Sequence, residues 1–169
     1  VSMGNVTSKV DGLGASGLTV GVMDAEALIQ GQTKIYLGDA VSLNSSEGNV
    51  LLQTDSQEFA QSKANALAGS LIGGTGAEST ALTGKDTTVN IGKNLNIFAK
   101  LATKIASNGK NSSKAESDGR AYGVISAGGT KTDARIKNIA GVKIADADTS
   151  SSTKKILGKT VEIFSLVEN

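Results

Sequence analysis

The residues best suited to chemistry by type and spacing are Asp146 and Asp148, close to Lys154 and Lys155 in a Ser/Thr-rich stretch that also holds Thr149. A carboxylate pair can cleave a glycosidic bond when a walled cleft holds the two groups ~5–10 Å apart. A polar loop supplies no such wall. The chain has no His and no Cys, so the commonest general base, the thiol nucleophile and the usual transition-metal ligands are missing. The plain reading of Asp146, Asp148, Thr149, Lys154 and Lys155 is a solvated loop with mixed charge, suited to a weak polar contact with a partner. No catalytic, cofactor-binding or metal-binding residue is assigned, and an enzyme is not expected.

Two further patterns point to ligands and fail on inspection. "GGTGAESTA" (73–81) and "GGTKTDARI" (128–136) partly fit the calcium nonapeptide G-G-x-G-x-D-x-U-x. The first has Glu78 for Asp and Thr80 for the apolar residue; the second lacks the third Gly and has Arg135 in the apolar slot. Gly pairs at tight corners explain both better. "LTGKDTT" and "LGKTVEI" carry the Gly-Lys of a phosphate loop, but lack the upstream Gly and the following helix.

The elements that must position any site come from a repeat. "TKIYLGDAVSL" (33–43) returns without a gap as "TTVNIGKNLNI" (87–97), with Val89 over Ile35, Ile91 over Leu37, Leu95 over Val41, Ile97 over Leu43 and Gly92 over Gly38. "Ser-Lys-small" occurs at Ser8, Ser62 and Ser113, and cutting there gives units 8–61, 62–112 and 113–169. Each opens Gly/Ala/Ser-rich and then alternates. Val89 and Ile91 flank Asn90, Val142 and Ile144 flank Lys143, and Val161 and Ile163 flank Glu162. A period of two marks strands with one buried face. In the third unit "GVKIAD" (141–146) matches the run around Val89 and Ile91, and "GKTVEI" (158–163) matches "GKNLNI" (92–97). That alignment leaves 145–157 as a loop insertion of about a dozen residues. "EFAQSKANALAGSL" (58–71) is the one stretch where a helix competes.

Composition narrows the classes. The 169 residues include 21 Gly, no Pro and no Trp, aromatics are 3%, and the formal net charge is +1. Such a chain suits one domain with a thin Val/Ile/Leu/Ala core. Its balanced charge gives no case for nucleic acid or an anionic membrane. No run reaches the ~18 apolar residues of a membrane helix. The strand-like text at both ends suggests a fragment of something longer.

A strand–turn–strand unit cannot bury its apolar face alone, and stacked copies share one core. Strands of ~5 residues with tight turns predict coils of roughly 20–25 residues, two to each unit. Six to eight such rungs would span roughly 30–40 Å. The expected fold is an all-β parallel β-helix (β-solenoid) over 1–169. Small β-sandwich modules are the alternative, weakened by the lack of aromatic core residues and Pro.

The Gly/Ala-rich stretch "NALAGSLIGGTGAESTA" followed by "TTVNIGKNLNIF" resembles repeats of secreted bacterial exoproteins of the filamentous haemagglutinin type, nearest to those of fusobacterial leukotoxin and related giant adhesins. The resemblance implies a right-handed β-helix, export by two-partner secretion through an outer-membrane transporter partner, a secreted or bacterial cell-surface location, and virulence through host-cell binding or toxicity. It brings no catalytic motif and no cofactor. The expected function is therefore a non-enzymatic, monomeric rod whose loops meet a protein or glycan of the host-cell surface. A β-helix polysaccharide-active enzyme and a phage-type fibre segment are the rival readings; the first should gather its charges and aromatics in one groove.

Overall fold

The computed structural model describes residues 2–145 and 155–168, and among them all regular structure is β. The strands are β1 (Ser2–Leu37), β2 (Ser42–Ser45), β3 (Val50–Ile91), β4 (Asn96–Ala99), β5 (Ala102–Tyr122), β6 (Ile125–Ile136), β7 (Ala140–Ile144), β8 (Lys155–Leu157) and β9 (Thr160–Glu168). Runs of 36 and 42 residues far exceed the usual strand of ~3–10 residues. They persist because no Pro removes a ladder donor, so hydrogen bonding continues around the corners.

Every pairing is parallel. Ser2 faces Ser56 and Leu37 faces Ile91, at the same constant offset of 54 that separates Asp11 from Asn65. Val50 faces Thr103, Ile72 faces Ile125 and Thr87 faces Ala140, at the offset of 53 that separates Asp55 from Asn108. The chain thus returns to lie beside itself once per repeat. The sequence echo is this ladder: Ile35 faces Val89, Leu37 faces Ile91 and Leu43 faces Ile97.

One circuit is therefore 53 or 54 positions long, or 58 to 59 where it carries the insertion, more than twice the coil of roughly 20–25 residues expected. The reason lies in two unlike parts of each circuit. Residues 33–54 bend around a cluster of large aliphatics, with Val89, Ile91, Leu95, Ile97 and Ile105 at its centre. The Gly/Ala/Ser-rich stretch does not close a second coil. It runs out and back as a two-layer arm. Ala64 packs with Ala77, Ser62 Oγ lies 2.6 Å from Ser79 Oγ, and Ser56 Oγ lies 2.5 Å from Thr87 Oγ1. Side chains this small let two sheet layers approach without a third wall. With three circuits the stack rises only about 10–14 Å, at ~4.8 Å per step, well short of the expected rod.

Alternation governs the arm as well. Ala60, Ser62, Ala64, Ala66 and Ala68 are all buried within β3, so the helix competing over 58–71 gives way to a strand with period two. Val89, Ile91, Leu95 and Ile97 point inward, while Asn90 is half-buried and Asn96 exposed.

Two expected alignments shift. Ser113, Lys114 and Ala115 face Ala60, Gln61 and Ser62, not the second Ser-Lys triplet. "GKTVEI" does not lie over "GKNLNI": Val161 faces Thr103 and Ile163 faces Ile105, whereas Asn96 and Ile97 face Lys155 and Ile156. Val142 does face Val89 and Ile144 faces Ile91. Ten residues separate Ile144 from Lys155 where four separate Ile91 from Asn96, so the insertion is six residues long and ends before β8.

One corner shows why the repeat keeps a glycine. A Cβ on Gly92 would meet Gly38 C at 2.6 Å and Asp39 Oδ1 at 2.4 Å. The Asp39 carboxylate accepts the Lys93 backbone N–H at 2.6 Å, and Ala40 and Asn94, one circuit apart, both take positive φ. Each circuit thereby caps the corner of the next.

Candidate functional site

The arm carries a shallow groove of about 730 Å³ on its outer face, crossing all three circuits. Parallel register assembles it from columns. Asp11, Asn65 and Asp118 form one column, and Leu13, Leu67 and Arg120 the next. Ala15, Gly69 and Tyr122 form the third, so the tyrosine ring stands beside two positions with almost no side chain. Tyr122 is 58% exposed and Leu13 84%.

Hydrogen bonds fix the polar column. Asn65 Nδ2 donates to Asp11 Oδ1 at 2.6 Å, and Lys9 Nζ lies 2.8 Å from Asp11 Oδ2. The lysine first, and the amide second, hold the Asp11 carboxyl below the usual carboxylate range. Arg120 clasps Asp118 in two contacts, Nε to Oδ1 at 3.0 Å and Nη2 to Oδ2 at 2.8 Å. Asp118 and then Tyr122 push the Arg120 guanidinium further up. Beside the groove, Lys114 and Lys63 hold Glu116 below its ordinary value. The result is a strip with an aromatic ring and leucines at one side and fixed acceptors at the other. Such a strip can stack an apolar ring face and receive hydroxyl or amide donors.

A second polar feature is internal. At the neck between arm and aliphatic cluster, Lys85 Nζ lies 2.6 Å from Glu58 Oε1 and also donates to Ser2 Oγ. The Lys85 and Glu58 side chains are 13% and 1% exposed. The same two columns hold Gly4 and Gly31 in the circuit before, and Asn111 and Asn138 in the circuit after: Gly4 faces Glu58, Gly31 faces Lys85 and Glu58 faces Asn111, while Asn138 lies between the Lys137 and Ile139 bonds to Thr83 and Thr87. A Cβ on Gly4 would sit 1.9 Å from Glu58 Oε2, so a side chain there would push that carboxylate aside. The buried amide atoms of Asn111, and Asn138 Nδ2, have no hydrogen-bond partner.

Of the predicted loop residues, only Lys155 is among those described. Asp146, Asp148, Thr149 and Lys154 lie outside the described residues, and Lys155 opens β8 with its side chain exposed. The two calcium-like segments do lie on neighbouring circuits, two residues out of step, with Gly73 facing Ser126. Their acids are engaged by cations: Glu78 pairs with Lys131 and Asp133 with Arg135. Among the described residues no group of three or more acidic side chains could hold a metal ion. Of the phosphate-loop matches, the first sends Lys85 into the neck and the second continues into β9.

Sequence reasoning missed the groove and the neck. Both had a signal. Asp11, Asn65 and Asp118 recur at offsets of 54 and 53, and Glu58 falls in phase with inward Ala60, Ser62 and Ala64.

Comparison with protein-family models, curated proteins and solved structures finds no match to this chain.

Proposed function

We propose that the chain is a segment of a right-handed parallel β-helix, a stiff rod from a large secreted or surface-displayed bacterial exoprotein of the filamentous haemagglutinin type, exported through an outer-membrane transporter partner. The offset of 53 or 54, lengthened to 58 or 59 only past the insertion, supports the β-helix, because stacked circuits of one chain are the simplest path with that pairing. The rod is non-enzymatic, and it meets a protein or glycan of the host-cell surface through its side faces and through the segment holding Asp146, Asp148, Thr149, Lys154 and Lys155.

The groove carries this reading. It is a flat, multi-circuit strip with one aromatic platform, which suits adhesion to an extended ligand. The rival, a polysaccharide-cleaving enzyme, fits less well. Asp11 and Asp118 stand two strand spacings apart, ~9–10 Å, near the separation used by inverting glycosidases. Yet Asp11 is held ionised by Lys9 and Asn65, and Asp118 is clasped by Arg120. Asp11 is therefore not set up to donate a proton to a leaving group, and Arg120 occupies both oxygens of Asp118.

The experiment is binding of the labelled chain to host cells, wild type against Tyr122→Ala. The ring is exposed, so the variant should fold normally and lose most of its binding. Full binding by a folded Tyr122→Ala chain would move the contact off this face.

A further inference from the structure

The outer tip of the arm is apolar in every circuit. The chain turns back near Leu18 in β1, near Leu71 and Ile72 in β3, and between Val124 and Ile125 in the third circuit, as the facing pairs Ser16 with Thr19, Ser62 with Ser79 and Ser117 with Thr132 show. Leu18, Ile72 and Ile125 form one column across the three circuits, and Leu71 and Val124 precede the last two in the chain. All five are exposed. The middle circuit shows that this exposure belongs to the tip itself. Ile72 is laddered on both sides, to Leu18 and to Ile125, and is still 51% exposed, while Leu71 is 66% exposed. Further circuits above or below would leave such side chains bare. Charge is held back from the tip to the same depth throughout. Residues 12–23, 66–77 and 121–130 include no charged side chain. Polar columns begin beyond them at one level on both faces: Asp11, Asn65 and Asp118 on one, Asp24, Glu78 and Lys131 on the other. That level lies six or seven residues from the turn, ~20 Å along an extended strand.

We propose that the tip of the arm enters the apolar layer of a zwitterionic lipid bilayer as a shallow wedge. This contact goes beyond the meeting of the groove with a protein or glycan and does not depend on it. The order of side chains along the arm selects lipid. Val124 and Ile125 stand at the tip, Tyr122 two residues behind Val124, then Arg120, then Asp118. A membrane surface has the same order: aliphatics deepest, an aromatic ring at the headgroup boundary, and a cation on a long stem reaching back to water. The Arg120 guanidinium already reaches back, to Asp118 and away from the tip. Lipid also demands that backbone polar groups be satisfied within the protein. The tip of the middle circuit is laddered on both sides, and in the first circuit the Ser16 hydroxyl donates to the Leu18 carbonyl. A rigid protein partner suits the tip less well. A convex edge two sheet layers thick, ~10 Å, offers little of the about 800 Å² per side that a stable interface needs, whereas fluid hydrocarbon needs no matched shape. The polar columns carry Asp11, Asp24, Glu78 and Asp118, so anionic headgroups bring no advantage.

Flotation of the whole chain with phosphatidylcholine vesicles free of protein and glycan tests this. Wild type should float with the vesicles, equally at low and high salt. Ile72→Glu changes an exposed side chain, so it should keep the far-ultraviolet circular dichroism of wild type and lower the vesicle-bound fraction about tenfold or more. Leu51→Glu, at an exposed leucine off the arm, should float like wild type. The chain has no tryptophan, so Leu71→Trp gives a single reporter. Its emission should move to the blue on adding vesicles and be quenched by brominated lipid, and that of Leu51→Trp should not change. A folded wild type left in the aqueous fraction overturns the proposal, as does Ile72→Glu floating like wild type. Binding that needs phosphatidylserine and vanishes at high salt overturns it too, since charge would then be the cause. Lipid-free dimers abolished by Ile72→Glu, with no flotation, would put a second copy on the tip instead. Failure with these vesicles leaves the groove's contact with a protein or glycan standing, because they present neither.

Discussion

Lys85 Nζ lies 2.6 Å from Glu58 Oε1 inside the neck of the second circuit, with glycines in the same two columns of the circuit before and asparagines in those of the circuit after. A buried pair is costly to break, because the remaining charge has no partner and no water. Glu58→Gln should therefore destabilise the chain by about 3–5 kcal/mol. The double change Glu58→Leu with Lys85→Met removes both charges and should cost far less than the single one. Urea denaturation of wild type and the two variants measures this. Equal losses in single and double variants would mean that packing, not charge, holds the neck.

Two residues of opposite orientation test the alternation. Ile91 is 2% exposed and sits in the aliphatic cluster, while its neighbour Asn90 points outward. Ile91→Asp should cost about 4 kcal/mol or more, by burying an unpaired charge. Asn90→Asp should stay within about 1 kcal/mol. Thermal melts with matching effects for both would contradict the period of two.

Gly92 and Gly38 fill the same place in successive circuits but should not tolerate alanine equally. A Cβ on Gly92 meets backbone at 2.6 Å, whereas one on Gly38 meets nothing within 4 Å. Gly92→Ala should cost about 1–3 kcal/mol through overpacking. Gly38→Ala should be neutral or slightly stabilising, since it restricts the unfolded chain. The comparison needs only melting temperatures of the two variants.

Much of this was legible in the sequence, and the reasons for the misses are physical. The repeat interval, the inward set Val89, Ile91, Leu95 and Ile97, and the stacking of Val142 and Ile144 on Val89 and Ile91 all follow from aliphatic alternation, which large side chains write clearly. The arm was less legible because Ala, Ser and Gly suit a helix, a coil or a narrow two-layer sheet alike. Only its pairing distinguishes them, as when Ser62 reaches Ser79. The third circuit misled because Gly158–Ile163 resembles Gly92–Ile97 in type, while its partners are the residues after Leu101. The groove was hidden because Asp11, Asn65 and Asp118 are each a full circuit apart and adjoin only once the circuit length is known.

Acid should weaken the fold. Asn108 and then Gln53 hold the Asp55 carboxyl below the usual range, Lys9 and Asn65 do the same for Asp11, and Lys114 and Lys63 for Glu116. A depressed folded value means that the unfolded chain binds protons more readily. The stabilisation is then complete above the ordinary carboxylate range of ~4 and is lost as pH falls through the lower folded values. Melting temperature should hold steady from about pH 7 to about 5 and fall below about 4. Asp55→Asn should flatten part of that fall. A variant with an unchanged acid profile would mean that Asp55 is not coupled to folding.

The length of the circuit underlies the groove and the neck, and a cross-link measures it directly. The chain has no cysteine of its own. Leu13 and Leu67 are exposed neighbours in the ladder, and paired parallel strands lie ~4.8 Å apart, within reach of a disulfide. Leu13→Cys with Leu67→Cys should oxidise to an intramolecular disulfide, seen as a mass loss of about two hydrogens and loss of free thiol. Leu13→Cys with Tyr36→Cys, spaced as a coil of roughly 20–25 residues would require, should keep both thiols. The reverse result, a disulfide in the Leu13→Cys/Tyr36→Cys chain and two free thiols in the Leu13→Cys/Leu67→Cys chain, would contradict the account.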